Sequence, residues 1–372
     1  MTDVLVLCEY PTLLGGERSL LSVLEPLRSA GYAVAVACPG EGALADALAQ
    51  GNVPTYPLSL HGPDGRRRPL EQIRGDLEQL FRRTKPDLVH ANSLATGRIA
   101  GPVAAKLALP SVAHLRDIVK LRRSEVGDLN QHRRLIAVSR ATRDAHVAQG
   151  LDPKTTSVVY NGVDLARFQP RPASGYLHRE LGLPTDSHLI GTIGQIALRK
   201  GLDTLVAAAA EVARERSDVH FLVIGDCYSQ KAESRELLAS LHAAAQRGPL
   251  AGRLHLLGTR DDVEQILGEL TLLVHPARQE PFGRVLLEAA ASGLPVLASR
   301  VGGTPEIFHL PESARLVPPD DPAALSGAVL ELLKSEPARR SLGEAARRCA
   351  EQFSTSAAAD GLMREYARAI AS

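Results

Sequence analysis

Tryptophan is absent from the 372 residues, and aromatic residues make up only 3% of them. A chain so poor in rings offers no stacking platform for single-stranded nucleic acid and no aromatic belt for a membrane interface. Charge of one sign is lacking too, with 43 Lys and Arg against 42 Asp and Glu. The balance calls for no polyanionic partner, and nucleic acid is set aside as a ligand. Cysteine is scarce: Cys8, Cys38, Cys227 and Cys349 lie far apart with no C-x-x-C pair, and they read as reduced thiols. No apolar run approaches the roughly 18 residues of a spanning helix. Thr2 and Asp3 precede a short apolar run without the basic region of a signal peptide. A cytoplasmic location is the expectation.

Familiar catalytic signatures are also missing. The sequence holds no D-x-D pair, no G-x-x-x-x-G-K-[ST] phosphate loop, no H-E-x-x-H helix, no G-x-S-x-G elbow and no G-x-G-x-x-G dinucleotide turn. Its twelve histidines are scattered. No catalytic metal and no cofactor are expected.

What the chain does have is apolar content, 44% of residues, and at about 150 residues per domain its length suggests two domains. Short apolar runs alternate with longer amphipathic segments: Val4–Cys8, Gly16–Ala30, Ala33–Cys38, Ala43–Gln50, then Asp87–His90, Ser93–Leu109, Ser111–His114 and Leu135–Ser139. Continuous apolar strands separated by helix-length segments predict an α/β fold whose parallel sheets are covered on both faces. The alternation pauses at Gln169–Gly175, rich in proline, and restarts with Leu189–Gly194, Gly201–Arg214, Val219–Gly225, Glu233–Gln246, Arg253–Leu257, Thr271–His275, Gly283–Ser292 and Pro295–Ser299. The expected division is therefore residues 1–168, residues 169–353 and a last helical segment, 354–372, that crosses back to the first domain. Doubly wound sheets bind ligands at the carboxyl ends of their strands, so a cleft between two such domains is the expected site.

The stretch Glu280-Pro-Phe-Gly-Arg-Val-Leu-Leu-Glu288 is the most informative. A helix opening at Gly283 would aim the amides of Phe282, Gly283 and Arg284, at its positive end, toward a phosphate group. Glu288, about 7.5 Å further along the axis, suits a ribose, and Glu280 on the preceding loop suits the hydroxyls of a sugar. Two glutamates alone would equally fit a solvated helix face. Arg199 and Lys200 follow the glycine turn at Gly194 and could neutralise a diphosphate leaving group; an ordinary basic loop reads the same. Gly15 and Gly16 lie between a strand and a helix, where backbone could approach a ligand or simply turn. His114 ends a strand, the usual place of a packed or capping residue.

In full, this stretch closely resembles the retaining glycosyltransferases of family 4, which have the GT-B architecture. Glu280, Phe282, Gly283, Glu288, Gly293, Pro295, Gly302, Gly303, Pro305 and Glu306 fall in register with the family's signature of two glutamates separated by seven residues and its glycine-rich continuation. Lys200 matches the family's lysine-glycine pair, whereas Gln195 stands where a basic residue often occurs. The resemblance implies an N-terminal acceptor-binding domain and a C-terminal domain for a UDP-, GDP- or ADP-sugar donor. It implies that Gly15 and Gly16 face the donor phosphates and the acceptor, that His114 contacts the donor sugar, and that the loop at Gly258 lies near the nucleobase. Val138-Ser139, Asn161-Gly162-Val163-Asp164 and Ile224-Gly225-Asp226 are weaker stations of the same likeness.

The expected activity is transfer of a sugar to an acceptor hydroxyl with retained anomeric configuration. No second carboxylate stands out as a nucleophile, so the leaving phosphate itself would take the acceptor's proton. The acceptor could be a sugar, a lipid-linked carrier or a small molecule. Through Pro170 there are 21 basic and 17 acidic residues, and afterwards 22 and 25. The excess, at Arg66–Arg68, Arg82-Arg83, Arg122-Arg123 and Arg133-Arg134, could hold an anionic lipid or a peripheral site at the inner membrane face; solvated helix faces explain it equally. Competing readings are a nucleotide-sugar epimerase, a phosphorylase-like enzyme of the same architecture and a non-catalytic nucleotide-sugar sensor.

Overall fold

Alternate residues of the first apolar run pack into different clusters, which is what a strand buried on both faces requires. Leu5 and Leu7 join the side chains of helices Leu70–Thr84 and Leu94–Lys106, while Val4, Val6 and Cys8 join those of Gly15–Ser29 and Thr355–Ala371. This arrangement is seen in a computed structural model that describes residues 1–62, 64–229 and 231–372.

The chain divides into two units, one of Met1–Gly162 with Thr355–Ser372 and one of Val163–Ser354. The first contains strands β1 (Thr2–Leu7), β2 (Tyr32–Cys38), β3 (Thr55–Pro57), β4 (Leu88–Ala91), β5 (Ser111–Leu115), β6 (Arg134–Ala137) and β7 (Thr156–Val158). They form a parallel sheet in the order 3-2-1-4-5-6-7. The second contains β8 (His188–Ile193), β9 (Val219–Ile224), β10 (Leu254–Gly258), β11 (Leu272–His275), β12 (Val296–Ser299) and β13 (Arg315–Val317) in the order 10-9-8-11-12-13, again parallel. In each sheet the winding reverses once, between β1 and β4 and between β8 and β11. At such a switch point the outgoing loops diverge and leave a crevice at the strand ends.

The helix Leu70–Thr84 was not singled out by the sequence reading, although its buried residues Ile73, Leu77, Leu80 and Phe81 repeat with helical spacing. Strands β3, β7 and β13 have three residues each, lie at or beside sheet edges and carry polar residues. Runs that short give no period. Helix Leu94–Lys106 starts one residue after Ser93, whose side chain caps it in a box with Thr96. Among the described residues no helix is long and apolar enough to cross a membrane.

Candidate active site

The switch point of the second unit brings two loops together. Gly201 has φ +66°, and a Cβ there would lie 1.9 Å from the Pro276 carbonyl oxygen, so glycine is what lets the loops touch. The Arg278 and Gln279 amides donate to the Arg199 carbonyl at 2.9 and 3.3 Å. The Arg278 guanidinium bonds Asp203 at 2.7 and 2.8 Å and Asp320 at 2.5 Å. On the far side, the Gly303 amide donates to the Glu280 carbonyl at 3.0 Å.

Glu280 is thereby held by its backbone, and its side chain is buried. Its Oε2 accepts from Lys200 Nζ at 2.5 Å and from His275 Nε2 at 2.7 Å; among the described residues Oε1 takes no bond. Burial disfavours the charged carboxylate, but the Lys200 ammonium and the His275 N–H outweigh it and hold the carboxyl well below the usual carboxylate range. His275 is itself pushed down, by burial first and against the pull of Glu280, so it is a neutral ring with its proton on Nε2.

Gly283, at φ +103°, precedes helix Arg284–Ala291, whose positive end lies at this loop. Arg284 Nη2 bonds Glu288 Oε1 at 2.8 Å, one turn on. The Phe282 ring is buried and meets Phe353 edge-on at 5.5 Å. Arg199 lies in a 3-10 turn, Leu198–Lys200, with Nη2 3.4 Å from Gln195 Oε1. Gly194 is exposed at φ +149°, while the Gly258 carbonyl accepts from the Gly225 amide at 2.8 Å. Glu280, Lys200, Arg199, Gly283, Arg284 and Glu288 are thus all on the loops and helix around one switch point. The sequence reading missed His275 as the partner of Glu280; a histidine closing a strand five residues before a site carboxylate was the available signal.

In the first unit, His114 is buried on β5. Its Nδ1 lies 2.7 Å from His90 Nε2 and 3.3 Å from Arg116 Nη2, and His90 Nδ1 lies 2.7 Å from the Tyr366 hydroxyl. Burial and the nearby Arg116 charge pull His90 down to about 3 and His114 well below the ordinary imidazole value. Arg116 also donates to Asn92 Oδ1 at 2.7 Å, the Asn92 carbonyl at 2.9 Å and Asn161 Oδ1 at 3.0 Å. Asn92 Nδ2 in turn donates to the Gly16 carbonyl at 3.2 Å. A Cβ on Gly16 would sit 3.3 Å from Arg116 Cδ, and Gly15 and Gly16 begin helix Gly15–Ser29, so the pair serves packing as well as the turn. His90, Asn92 and Tyr366 were not foreseen, and Tyr366 is 276 positions from His90. Several arginines of the basic clusters are engaged within the unit: Arg67 with Glu9, Arg68 with Asp76, Arg82 with Glu78 and Arg134 with Glu365.

Residues 176–349 match the family described as glycosyl transferases group 1, and residues 14–167 match the one described as Glycosyltransferase Family 4. The structure superposes on HepE of Anabaena in complex with UDP-glucose with a TM-score of 0.86 at 23% identity, covering 98% of this chain and 99% of that one. It superposes on sucrose-phosphate synthase of Thermosynechococcus elongatus with a TM-score of 0.80 at 22% identity, covering 100% of both chains. The architecture is GT-B, two units with parallel sheets. A D-inositol 3-phosphate glycosyltransferase of Frankia alni is 31% identical over 307 residues, 76% of this chain and 74% of that protein. That of Segniliparus rotundus is 29% identical over 302 residues, and the match spans 66% of its length, just under two thirds. The chain belongs to glycosyltransferase family 4.

Proposed function

We propose that the chain transfers a sugar from a nucleoside diphosphate sugar to an acceptor hydroxyl, with retention of anomeric configuration and without a catalytic metal. The observation that carries this reading is the Glu280–Lys200–His275 cluster beside the start of helix Arg284–Ala291. Glu280 has one carboxylate oxygen committed to Lys200 and His275, which leaves Oε1 to accept from a sugar hydroxyl. Lys200 has two further N–H groups for phosphate oxygens, and with Arg199 and the helix start it would neutralise the charge that develops on the departing diphosphate. Glu288, held by Arg284, is assigned to the ribose. His114 is assigned to a hydroxyl of the donor sugar, the Gly258 loop to the nucleobase, and the first unit to the acceptor. In a front-face reaction the bond from the anomeric carbon to the diphosphate breaks and the acceptor oxygen bonds that carbon on the same face. The leaving phosphate oxygen receives the acceptor's proton.

UDP-glucose, bound by HepE, is the first donor to try, within a thermal-shift panel of UDP-, GDP- and ADP-sugars. The acceptor of the inositol phosphate relatives makes a phosphorylated polyol the first acceptor. Glu280→Ala would leave the Lys200 ammonium without its partner and so perturb the fold as well as the chemistry. Glu280→Gln keeps the shape and is the cleaner probe. It should lower kcat by about 100-fold or more, with a lowered Tm because the Lys200 ammonium loses its counter-charge but a native circular-dichroism spectrum at the assay temperature; turnover equal to wild type would overturn the assignment.

A further inference from the structure

The contacts around His114 determine where its proton sits. A guanidinium N–H can only donate, so Arg116 Nη2, 3.3 Å away and already bonded to Asn92 Oδ1 at 2.7 Å, is a long, weak donor that favours His114 Nδ1 as an acceptor but does not hold it there alone. The imidazole is neutral, and its one proton is then on Nε2. His90 Nε2, 2.7 Å from the same Nδ1, must therefore be the donor in that bond, which leaves His90 Nδ1 as an acceptor. The Tyr366 hydroxyl, 2.7 Å from it, supplies the proton. The opposite polarity would point the His114 Nδ1–H at a guanidinium and leave the Tyr366 hydroxyl hydrogen buried with no acceptor among the described residues, a costly arrangement. His114 and His90 line a pocket together with Ser19, Arg116, Asn161 and Ala358. Among the described residues His114 Nε2 has no hydrogen-bond partner.

We propose that Tyr366 and His90 are positioning residues: their one-way chain of hydrogen bonds, with Arg116, fixes His114 as a neutral Nε2–H donor for a ligand hydroxyl or phosphate oxygen. Tyr366 acts from helix Thr355–Ala371, where its ring is fully buried edge-on to both Tyr32 and His90. Replacing its hydroxyl leaves that packing in place but removes the donor that sets the direction of the chain. Either imidazole can then exchange its proton between nitrogens. The turnover part of this inference rests on the transfer reading above; the tautomer part does not.

The test uses the full chain labelled with 15N-histidine. Long-range 1H–15N spectra, assigned with His90→Phe and His114→Gln, should show both rings as single neutral Nε2–H tautomers from pH 5.5 to 8. In Tyr366→Phe both should become tautomer mixtures, whereas Tyr32→Phe, which removes a hydroxyl from the same cluster without touching His90, should leave them unchanged. His90→Phe should likewise release the His114 tautomer. With an active donor, Tyr366→Phe should lower kcat about tenfold, the worth of one oriented hydrogen bond, with donor KM changed less than about twofold. An Nδ1–H tautomer of His114 in wild type, or an unaltered His114 spectrum in Tyr366→Phe, overturns the proposal. Tautomer loss in a chain that turns over none of the donors would uphold the positioning role and count against the transfer reading alone.

Discussion

Lys200→Met strips the buried Glu280 carboxylate of its ammonium partner and leaves only the His275 N–H on it. The two side chains in wild type are 15% and 7% exposed and 2.5 Å apart, so the pair counts as buried. Breaking such a pair from one side costs about 3–5 kcal/mol. For a unit of the size of Val163–Ser354 this corresponds to a fall in Tm of roughly 6–20 °C, at about 2–4 °C per kcal/mol. The pH dependence is the sharper signature. In wild type the folded pKa of Glu280 lies below its ordinary value of 4.5, so the stabilisation is fully present above pH 4.5 and is lost as the pH falls through and below that range. In the variant, burial is no longer outweighed and the folded pKa rises above 4.5. The protonated form then fits the site, and the variant's deficit should shrink as the pH drops from 7 to 4.5. Differential scanning calorimetry of both proteins across that range measures the deficit directly. Taking the difference removes the contribution of other carboxylates with depressed values, such as Asp218 and Asp262. A deficit below 1 kcal/mol at pH 7, or one independent of pH, would refute the account of the pair.

Gly302→Ala places a methyl 1.9 Å from the Glu280 carbonyl oxygen at φ +51°; it should cost about 2 kcal/mol or more and lower turnover, and a chemical-denaturation midpoint equal to wild type would contradict this close backbone approach. His90, His114, His132 and His275 all have folded pKa values pulled down by burial, His132 to about 4. Their unfolded forms protonate near pH 6.5 while the folded forms do not, so stability should fall as the pH drops from about 6.5 to 5, by up to about 1.4 kcal/mol per pH unit for each ring. His90→Phe should flatten part of that slope in urea titrations.

The alternation of apolar runs and amphipathic segments was enough to read the α/β class, because β9 and the Val4–Leu7 part of β1 are buried on both faces and carry a single polar residue, His220. Edge strands β3 and β13 escaped because three residues are too few to show a period and are placed by their neighbours. In the site, residues close in sequence were legible: Glu280, Gly283 and Glu288 lie on one loop and helix. Partnerships across the fold were not. Lys200 meets Glu280 because β8 and β11 are adjacent. Tyr366 meets His90 because a helix that begins at Thr355 packs on a sheet that begins at Thr2, and no local pattern encodes such a pairing.

That last helix also imposes an order on biogenesis. Ala358, Ala359, Leu362, Tyr366 and Ala369 complete a core begun by Val4 and Val6, so a growing polypeptide cannot close this core until helix Thr355–Ala371 has left the ribosome. The second unit can mature earlier during translation. A message cut short before codon 366 would yield a protein with the Glu280 cluster present but His114 without its tyrosine.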